Sequence, residues 1–220
     1  MSRVTHRRRT DWGEFPPDFV ADLLRFTLKI WDEFELPPRV YRETRITALF
    51  SRFLQHRVWI DETRDWLVVD ETKQYNNVGK EVARTDIRLL PPGKKHPDFA
   101  FVFECKRLNV RRRGKIQHGA GAYVGKDGMM CFITGKYASG LREGGMLGYV
   151  MNRDVMGMRE VITRFIDRKR GPIRLALLTS YVPCQLLDKQ LPHDETHHDL
   201  ADGRAFTLYH LLVPVRRNTA

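Results

Sequence analysis

This chain is organised around TDIRLLPPGKKHPDFAFVFECKR, residues 85–107. Two segments of strand length, residues 85–90 and 99–105, flank the Pro-Pro-Gly of residues 91–93. Aromatic and β-branched residues favour strands, whereas proline cannot donate a hydrogen bond within a sheet and glycine permits a turn. The pattern therefore predicts two strands joined by a turn.

Charged residues lie where these two strands meet. Side chains alternate between the faces of a strand, so Glu104 and Lys106 share one face and Cys105 takes the other. Asp86, on the first strand, reaches the same place if the two strands pair. A carboxylate and an ammonium at the end of a buried strand are costly unless they are paired or used. The sequence thus predicts a cluster of charged groups here.

The net charge of the chain indicates a polyanionic partner. The 220 residues include 38 Lys and Arg against 27 Asp and Glu, a formal net charge of +11. Nucleic acid is the first candidate for such a partner, and a merely soluble basic protein is the alternative. The densest basic segment is KRLNVRRRGK, residues 106–115, which has six cations and no acid.

Cysteine content and hydropathy favour a cytoplasmic protein. Cys105, Cys131 and Cys184 have no CxxC spacing, which favours a reducing cytosol over a disulfide framework or a zinc finger. No apolar stretch is long enough to span a bilayer, and the basic N-terminus lacks the apolar segment of a signal peptide. We therefore expect no membrane partner.

The remaining segments predict one α/β domain over residues 17–220, preceded by a basic flexible arm over residues 1–16. Helical periodicity predicts helices over residues 18–34, 41–56 and 152–170, with a weaker helix over 115–123. Further strands are predicted over residues 66–69, 129–137, 175–182 and 205–215. Polar or glycine-rich connections are predicted over residues 74–80, 140–148 and 191–203.

Glu43 lies on the same predicted helix face as Ile46 and Phe50, and so points inward. A carboxylate in a first helical turn is also favoured by the helix dipole. Both interpretations of Glu43 stay open at this point.

These residues resemble the PD-(D/E)XK nuclease superfamily, which has the restriction-endonuclease-like fold. The matching pieces are Glu43 on an early helix, Asp86 in TDI, Glu104-Cys105-Lys106 in FVFECKR, and Gln117 with Tyr123 on the following segment. They cover roughly residues 40–123. The resemblance implies an α/β fold with a mixed central β-sheet flanked by helices.

The resemblance also implies roles for individual residues. Asp86 and Glu104 would hold Mg²⁺, for which Mn²⁺ can substitute, with the Cys105 carbonyl as a further ligand. Lys106 would assist hydrolysis, and Glu43 would bind a second metal or hold a ligating water. Residues that would contact the DNA are Arg107, Arg111, Arg112, Arg113, Lys115, Gln117 and Tyr123.

The same resemblance implies a biological setting. It indicates a DNA endonuclease acting as the effector of a prokaryotic restriction or phage-defence system. Cleavage of both strands favours a homodimer, and a subunit of a multi-protein defence complex is the other arrangement. Two alternatives to a nuclease remain, namely a nucleic-acid-binding module that does not cleave or needs a partner to activate it, and a structural protein with ordinary salt bridges.

Other candidate sites carry weaker signals. Glu71 begins a rival E-x-K triplet but has no acid on a strand before it. Asp98 follows a proline, yet it lies about 20 Å from Glu104 along an extended chain, too far for ligands of one Mg²⁺ unless the strand starts late and folds back, so Asp86 is favoured. HDETHHD, residues 193–199, is interpreted as a solvated loop, because it lacks the HExxH spacing of a zinc site. His210, between apolar neighbours, is expected to be a core histidine.

Overall fold

The structure is a computed structural model that describes Phe15 and residues 18–61, 66–75, 81–91, 100–137, 141–169, 181–188 and 191–218. The described helices are α1 (Phe19–Glu33), α2 (Glu43–Ile60), α3 (Ala120–Val124), α4 (Met130–Ile133) and α5 (Val155–Lys169). The described strands are β1 (Leu67–Tyr75), β2 (Glu81–Leu90), β3 (Phe101–Leu108), β4 (Val110–Arg112), β5 (Lys115–Gln117), β6 (Glu143–Val150), β7 (Val182–Pro183), β8 (His193–Asp199) and β9 (Ala205–Pro214).

Seven strands form one mixed sheet in the order β1-β2-β3-β6-β9-β8-β7. β1, β2 and β3 form an antiparallel meander, and β6 and β9 then add parallel to β3 and to each other. β8 and β7 complete the sheet with antiparallel pairing. β4 and β5 form a separate two-stranded hairpin directly after β3. The predicted α/β fold with a mixed central sheet flanked by helices is confirmed.

Each face of the sheet carries its own apolar core. On one face α1 and α2 bury residues such as Leu23 and Phe50 against Phe103 and Leu211. On the other face α3, α4 and α5 pack against the alternate residues of the same strands, among them Leu108. Strand side chains alternate between faces, so β3 supplies apolar groups to both cores and interrupts the second with Glu104 and Lys106. These charges lie at the centre of the fold.

The predicted strand pair of residues 85–90 and 99–105 is present, as β2 and β3. Ile87 pairs with Phe103 and Leu89 with Phe101 in antiparallel register. The predicted helices 18–34, 41–56 and 152–170 correspond to α1, α2 and α5, and the predicted strand 205–215 to β9. Apolar residues at helical period were sufficient to predict the three helices, and short apolar runs were sufficient to predict β3 and β9, which are buried on both faces.

The predicted glycine-rich connection over residues 140–148 is wrong, because residues 143–150 form the central strand β6. A Cβ at Gly145 would lie 2.3 Å from the Phe103 ring, and one at Gly144 would lie 2.7 Å from the Phe132 ring. The glycines are therefore required by aromatic rings that pack across the strand from both faces. They indicate close packing here rather than a turn.

The interpretation of residues 193–199 as a solvated loop is also wrong. They form β8, paired with β9, and five of the seven residues are buried. Asp194 accepts two 2.6 Å hydrogen bonds from the Arg159 guanidinium, and Glu195 lies 3.0 Å from the His197 imidazole. Polar groups can occupy an inner strand when each has a partner, which a hydropathy pattern does not reveal.

Three smaller predictions also need correction. The predicted strand 129–137 contains the short helix α4, and residues 115–117 of the predicted helix 115–123 form β5. The predicted strand 66–69 continues to Tyr75, so residues 74 and 75 of the predicted loop 74–80 belong to β1. Residues 76–80, the predicted strand segment 175–180 and the N-terminal arm, except Phe15, lie outside the described residues.

Candidate active site

The site lies where β2 and β3 separate. The two strands pair from Ile87–Phe103 to Leu89–Phe101, and beyond Phe103 strand β3 continues alongside β6. At the point of separation the backbone N–H of Cys105 donates a 2.7 Å hydrogen bond to Asp86 Oδ2. The Asp86 carboxylate thus takes the place of a strand carbonyl, which positions it beside Glu104.

Lys106 connects the carboxylates of two different elements. Its ammonium donates hydrogen bonds to Glu104 Oε1 and, at 3.0 Å, to the carbonyl of Cys105. Glu43 Oε1 lies 3.6 Å from the same Nζ, and Glu43 Oε2 accepts a 2.8 Å hydrogen bond from the Arg107 N–H. Glu43 is the first residue of α2 and also contacts the site, so the two interpretations of this residue are compatible.

Tyr137 is a member of the site that sequence reasoning missed. Its hydroxyl donates a 2.6 Å hydrogen bond to Glu104 Oε2, so both Glu104 oxygens have donors. Burial and the Glu104 carboxylate raise the pKa of Tyr137 far above its ordinary value, which keeps the phenol a donor. Tyr137 follows α4 by four residues and is 33 positions from Glu104, and no spacing motif identifies such a partner.

Burial, and then the neighbouring Glu104, raises the pKa of Asp86 from its ordinary value to about 7. Burial also raises the pKa of Glu104, although Lys106 and Tyr137 oppose the shift. Burial alone would lower the pKa of Lys106, but Glu104, Glu43 and Asp86 together raise it above the ordinary value. Lys106 therefore stays protonated, and the carboxylates carry negative charge that a further cation would stabilise.

The donor set suits a hard divalent cation. Asp86, Glu104, Glu43 and the Cys105 carbonyl offer only oxygen ligands, the type that Mg²⁺ prefers. Within the described part of the chain no three acidic, histidine or cysteine side chains form a group with metal-site spacing. The Lys106 ammonium pairs with Glu104 and lies 3.6 Å from Glu43. Asp86 keeps partial exposure, so solvent and ions reach the site beside Lys106.

Cys105 contributes its backbone rather than its thiol. The Cys105 side chain is fully buried in the core under α1 and α2, away from the acids. Burial raises the pKa of this thiol well above its ordinary value. All three cysteines are free and buried.

The predicted basic segment forms an exposed hairpin next to the site. β4 and β5 close through residues 113 and 114, where Arg113 has φ 48° and Gly114 has φ 77°. Its exposed side chains are Arg111, Arg112, Arg113, Lys115 and Gln117. The hairpin begins four residues after Lys106 in the chain. Arg107 is partly buried, and its guanidinium donates to the Tyr41 carbonyl.

The assignment of Tyr123 to the nucleic-acid surface is wrong. Its side chain is completely buried, and its hydroxyl lies 3.0 Å from His210 Nδ1. His210 in turn lies 3.0 Å from the Thr196 hydroxyl, so it is the core histidine that the sequence predicted. Tyr123 and His210 stabilise the second core and do not contact solvent.

The rival acids are only partly described. Asp98 lies outside the described residues, and Glu71 lies in β1 with its side chain undescribed. Asp194 accepts hydrogen bonds from Arg159, and Glu195 lies within hydrogen-bond distance of His197. Both acids are on β8, three strands away from β3 in the sheet. The predicted group of Asp86, Glu104, Lys106 and Glu43 is the one that the structure brings together.

Comparisons with known proteins identify no relative: no family model matches the chain, and neither a search of curated proteins nor one of solved structures finds a match. None of the described helices is long and apolar enough to cross a membrane. The function therefore has to be argued from the site itself.

Proposed function

We propose that this protein is a metal-dependent nuclease of the PD-(D/E)XK type that hydrolyses DNA phosphodiester bonds. The observation that carries the proposal is the convergence of three carboxylates and one lysine where β2 and β3 separate. Asp86, Glu104 and Lys106 come from these two strands, and Glu43 comes from α2. Burying charged groups costs free energy unless they are paired or bind a metal ion, and one lysine does not neutralise three carboxylates.

The oxygen ligands fit Mg²⁺ or Mn²⁺, which Asp86 and Glu104 would hold together with the Cys105 carbonyl. Glu43 would bind a second ion or a ligating water. A bound Mg²⁺ supplies a Lewis acid at the scissile phosphate and makes water nucleophilic at neutral pH. The Cys105 N–H bond to Asp86 fixes one carboxylate, and the Tyr137 hydroxyl fixes the other. Hydrogen bonds of this kind orient carboxylates for metal binding.

Lys106 is suited to stabilise charge rather than to accept a proton. The neighbouring carboxylates raise its pKa, which keeps the side chain cationic at neutral pH in the metal-free site. A fixed ammonium at the site stabilises the negative charge that grows on the phosphate oxygens during hydrolysis. Lys106 also donates to the Cys105 carbonyl, which holds the ammonium at the strand end.

The exposed hairpin of β4 and β5 supplies the contacts to the DNA backbone. Arg111, Arg112, Arg113 and Lys115 are held there without a described acidic partner, a few residues from the carboxylates. Arginine and lysine contacts to phosphates position a duplex without reading its sequence. Arg107 and Gln117 flank this set.

By analogy with the superfamily, the setting would be prokaryotic restriction or phage defence, with the chain acting as a homodimer or as one subunit of a larger complex. These assignments rest on the resemblance alone. A cytoplasmic location is proposed instead from the cysteine pattern.

A second candidate function follows from one feature of the site. The Lys106 ammonium pairs with Glu104 and lies 3.6 Å from Glu43, and so occupies part of the space a cation would take. A module that binds DNA and cleaves only after a partner displaces Lys106 would show this arrangement.

Plasmid DNA incubated with the purified protein tests the proposal, with Mg²⁺ in one arm and EDTA in the other. The proposed function requires cleavage with Mg²⁺ and none with EDTA. Binding without cleavage in both arms would favour the second candidate, and a filter-binding series in increasing salt separates that module from a protein that does not bind nucleic acid.

A further inference from the structure

A basic pocket with an exposed aromatic ring adjoins the proposed active site. It has a volume of about 650 Å³, within the range of small-molecule sites, and Arg39, Tyr41, Arg42 and Arg45 are among its lining residues. The segment is RVYRETR, residues 39–45, so the pocket residues surround Glu43 in the sequence. None of the residues that line this pocket has a role in the proposed nuclease site.

Tyr41 is held in place while one face of its ring stays available. The Arg217 guanidinium carbon lies 4.3 Å from the ring centroid, a cation–π contact that covers one face. The side chain is nevertheless 57% exposed. The Tyr41 carbonyl accepts a hydrogen bond from the Arg107 guanidinium, which ties the pocket to β3. The ring is therefore a fixed, solvent-facing surface on which another flat group can stack.

The positive charge of the pocket lacks neutralising partners. Among the described residues no acid forms an ion pair with Arg39, Arg42 or Arg45, and all three are exposed. Arg107 and Arg217 donate to backbone carbonyls, which do not cancel their charge. Arg39 also adopts a left-handed backbone with φ 66°, which is uncommon for a residue with a side chain. This surface therefore suits a ligand that has both a flat group to stack on Tyr41 and an anionic group to contact the arginines.

An unpaired nucleotide offers both groups. Its base exposes a π-face that stacks on an aromatic ring, whereas a base inside a duplex is already stacked on its neighbours. Its phosphates match arginine side chains. Tyr41 and Glu43 are two residues apart, so their Cα atoms are within about 7 Å. A nucleotide stacked on Tyr41 is therefore close to the segment that carries Glu43.

We propose that the Tyr41 pocket binds an unpaired nucleotide of the substrate strand beside the scissile phosphate, so that the preferred substrates contain single-stranded or frayed DNA. The position of the scissile phosphate rests on the proposed nuclease function, but the binding of an unpaired nucleotide does not.

The test is a binding measurement in EDTA, where no metal-dependent cleavage occurs. The probes are a blunt duplex and the same duplex with a short single-stranded tail, each followed by fluorescence anisotropy. The tail should increase the affinity of the wild-type protein. Tyr41→Ala should remove about tenfold in affinity for the tailed probe and leave the blunt probe unchanged, because stacking on one aromatic ring is lost. Tyr41→Phe keeps the ring and should bind as the wild type does.

Trp59→Ala is the matched control, since it removes an exposed aromatic ring from the opposite end of α2. It should change neither affinity. A second variant, Arg42→Gln with Arg45→Gln, keeps Tyr41 and should reduce the salt slope for the tailed probe by about 1.4, at about 0.7 for each single-strand phosphate. Arg164→Gln with Arg168→Gln, on the exposed surface of α5, is its control.

The outcomes separate the two proposals. If the tail has no effect on affinity, or if Tyr41→Ala weakens both probes equally, the pocket assignment is overturned, whether or not the protein cleaves DNA. If the tail binds through Tyr41 but no DNA is cut with Mg²⁺, the nuclease proposal fails and the pocket stands. Deoxyadenosine monophosphate binding more tightly than the tail would overturn the assignment in favour of a free nucleotide.

Discussion

Asp86→Asn should stabilise the protein in EDTA, although it removes the central acid of the site. Burial and Glu104 raise the pKa of Asp86 to about 7. An unfolded aspartate titrates near pH 4. Between these values the folded state binds the proton more strongly than the unfolded state, so the wild type loses stability as the pH rises through this window. Asparagine resembles the protonated, neutral form and retains an oxygen for the Cys105 N–H.

The size of the effect follows from the difference between the two pKa values. About three pH units at 1.36 kcal/mol each give an upper limit of about 4 kcal/mol, and partial exposure of Asp86 reduces it to about 2 to 4 kcal/mol. The difference in unfolding free energy between the variant and the wild type should grow from about pH 4 to about pH 7 and stay constant at higher pH.

Urea unfolding in EDTA across this pH range measures the difference. The control is Asp127→Asn, at an exposed position, which should stay within about 0.5 kcal/mol of the wild type throughout. Added Mg²⁺ at a hundred times its Kd should then stabilise the wild type by about 2.7 kcal/mol and the Asp86→Asn variant much less. An Asp86→Asn protein that is less stable than the wild type at alkaline pH in EDTA would show that the buried Asp86 charge does not destabilise the fold.

Three further predictions concern Lys106, the hairpin arginines and Tyr137. Lys106→Ala should lower single-turnover cleavage about 10²- to 10³-fold with little change in DNA affinity measured in Ca²⁺, since its contact strengthens in the transition state; poor binding with normal turnover at saturation would make it a phosphate anchor. Replacing Arg111, Arg112 and Arg113 with alanine should instead weaken DNA binding. The dependence of log affinity on log salt for duplex DNA should become shallower by up to about three phosphate equivalents. An unchanged dependence would show that these three arginines do not contact the DNA. Tyr137→Phe leaves a buried carboxylate oxygen without its donor and should cost about 1 to 3 kcal/mol in urea unfolding and also slow cleavage. Tyr209→Phe removes a similar hydroxyl–glutamate bond elsewhere in the sheet, and equal loss of cleavage in both variants would show a purely structural role for Tyr137.

The central strand pair and most of the site could be predicted from the sequence because their signals are local. The apolar run that ends in Glu104 and Lys106 sets both the strand and the face on which the charges lie. A turn after Leu90 makes antiparallel pairing the simplest arrangement, and that pairing brings Asp86 to Glu104. Glu43 followed from helical periodicity, since residues 43, 46 and 50 share a face.

The errors have a common physical origin in contacts between residues distant in sequence. β6 contains three glycines because the Phe132 and Phe103 rings occupy the space beside two of them and leucines of β3 and β9 the space beside the third, Gly148. β8 contains acids and histidines because Arg159 and residues of β9 supply their partners. Tyr137 reaches Glu104 from a turn after α4. None of these contacts leaves a periodic signal in the chain.

The most direct test of the central claim is single-turnover cleavage of DNA in excess Mg²⁺ by the wild type, Asp86→Asn and Glu104→Gln. Each substitution replaces a carboxylate oxygen proposed to bind the metal ion, so the cleavage rate should fall by several orders of magnitude. Folding and DNA affinity should be retained, because the hairpin cations are unchanged. Cleavage by either variant at a rate near that of the wild type would show that Asp86 and Glu104 do not form the active site.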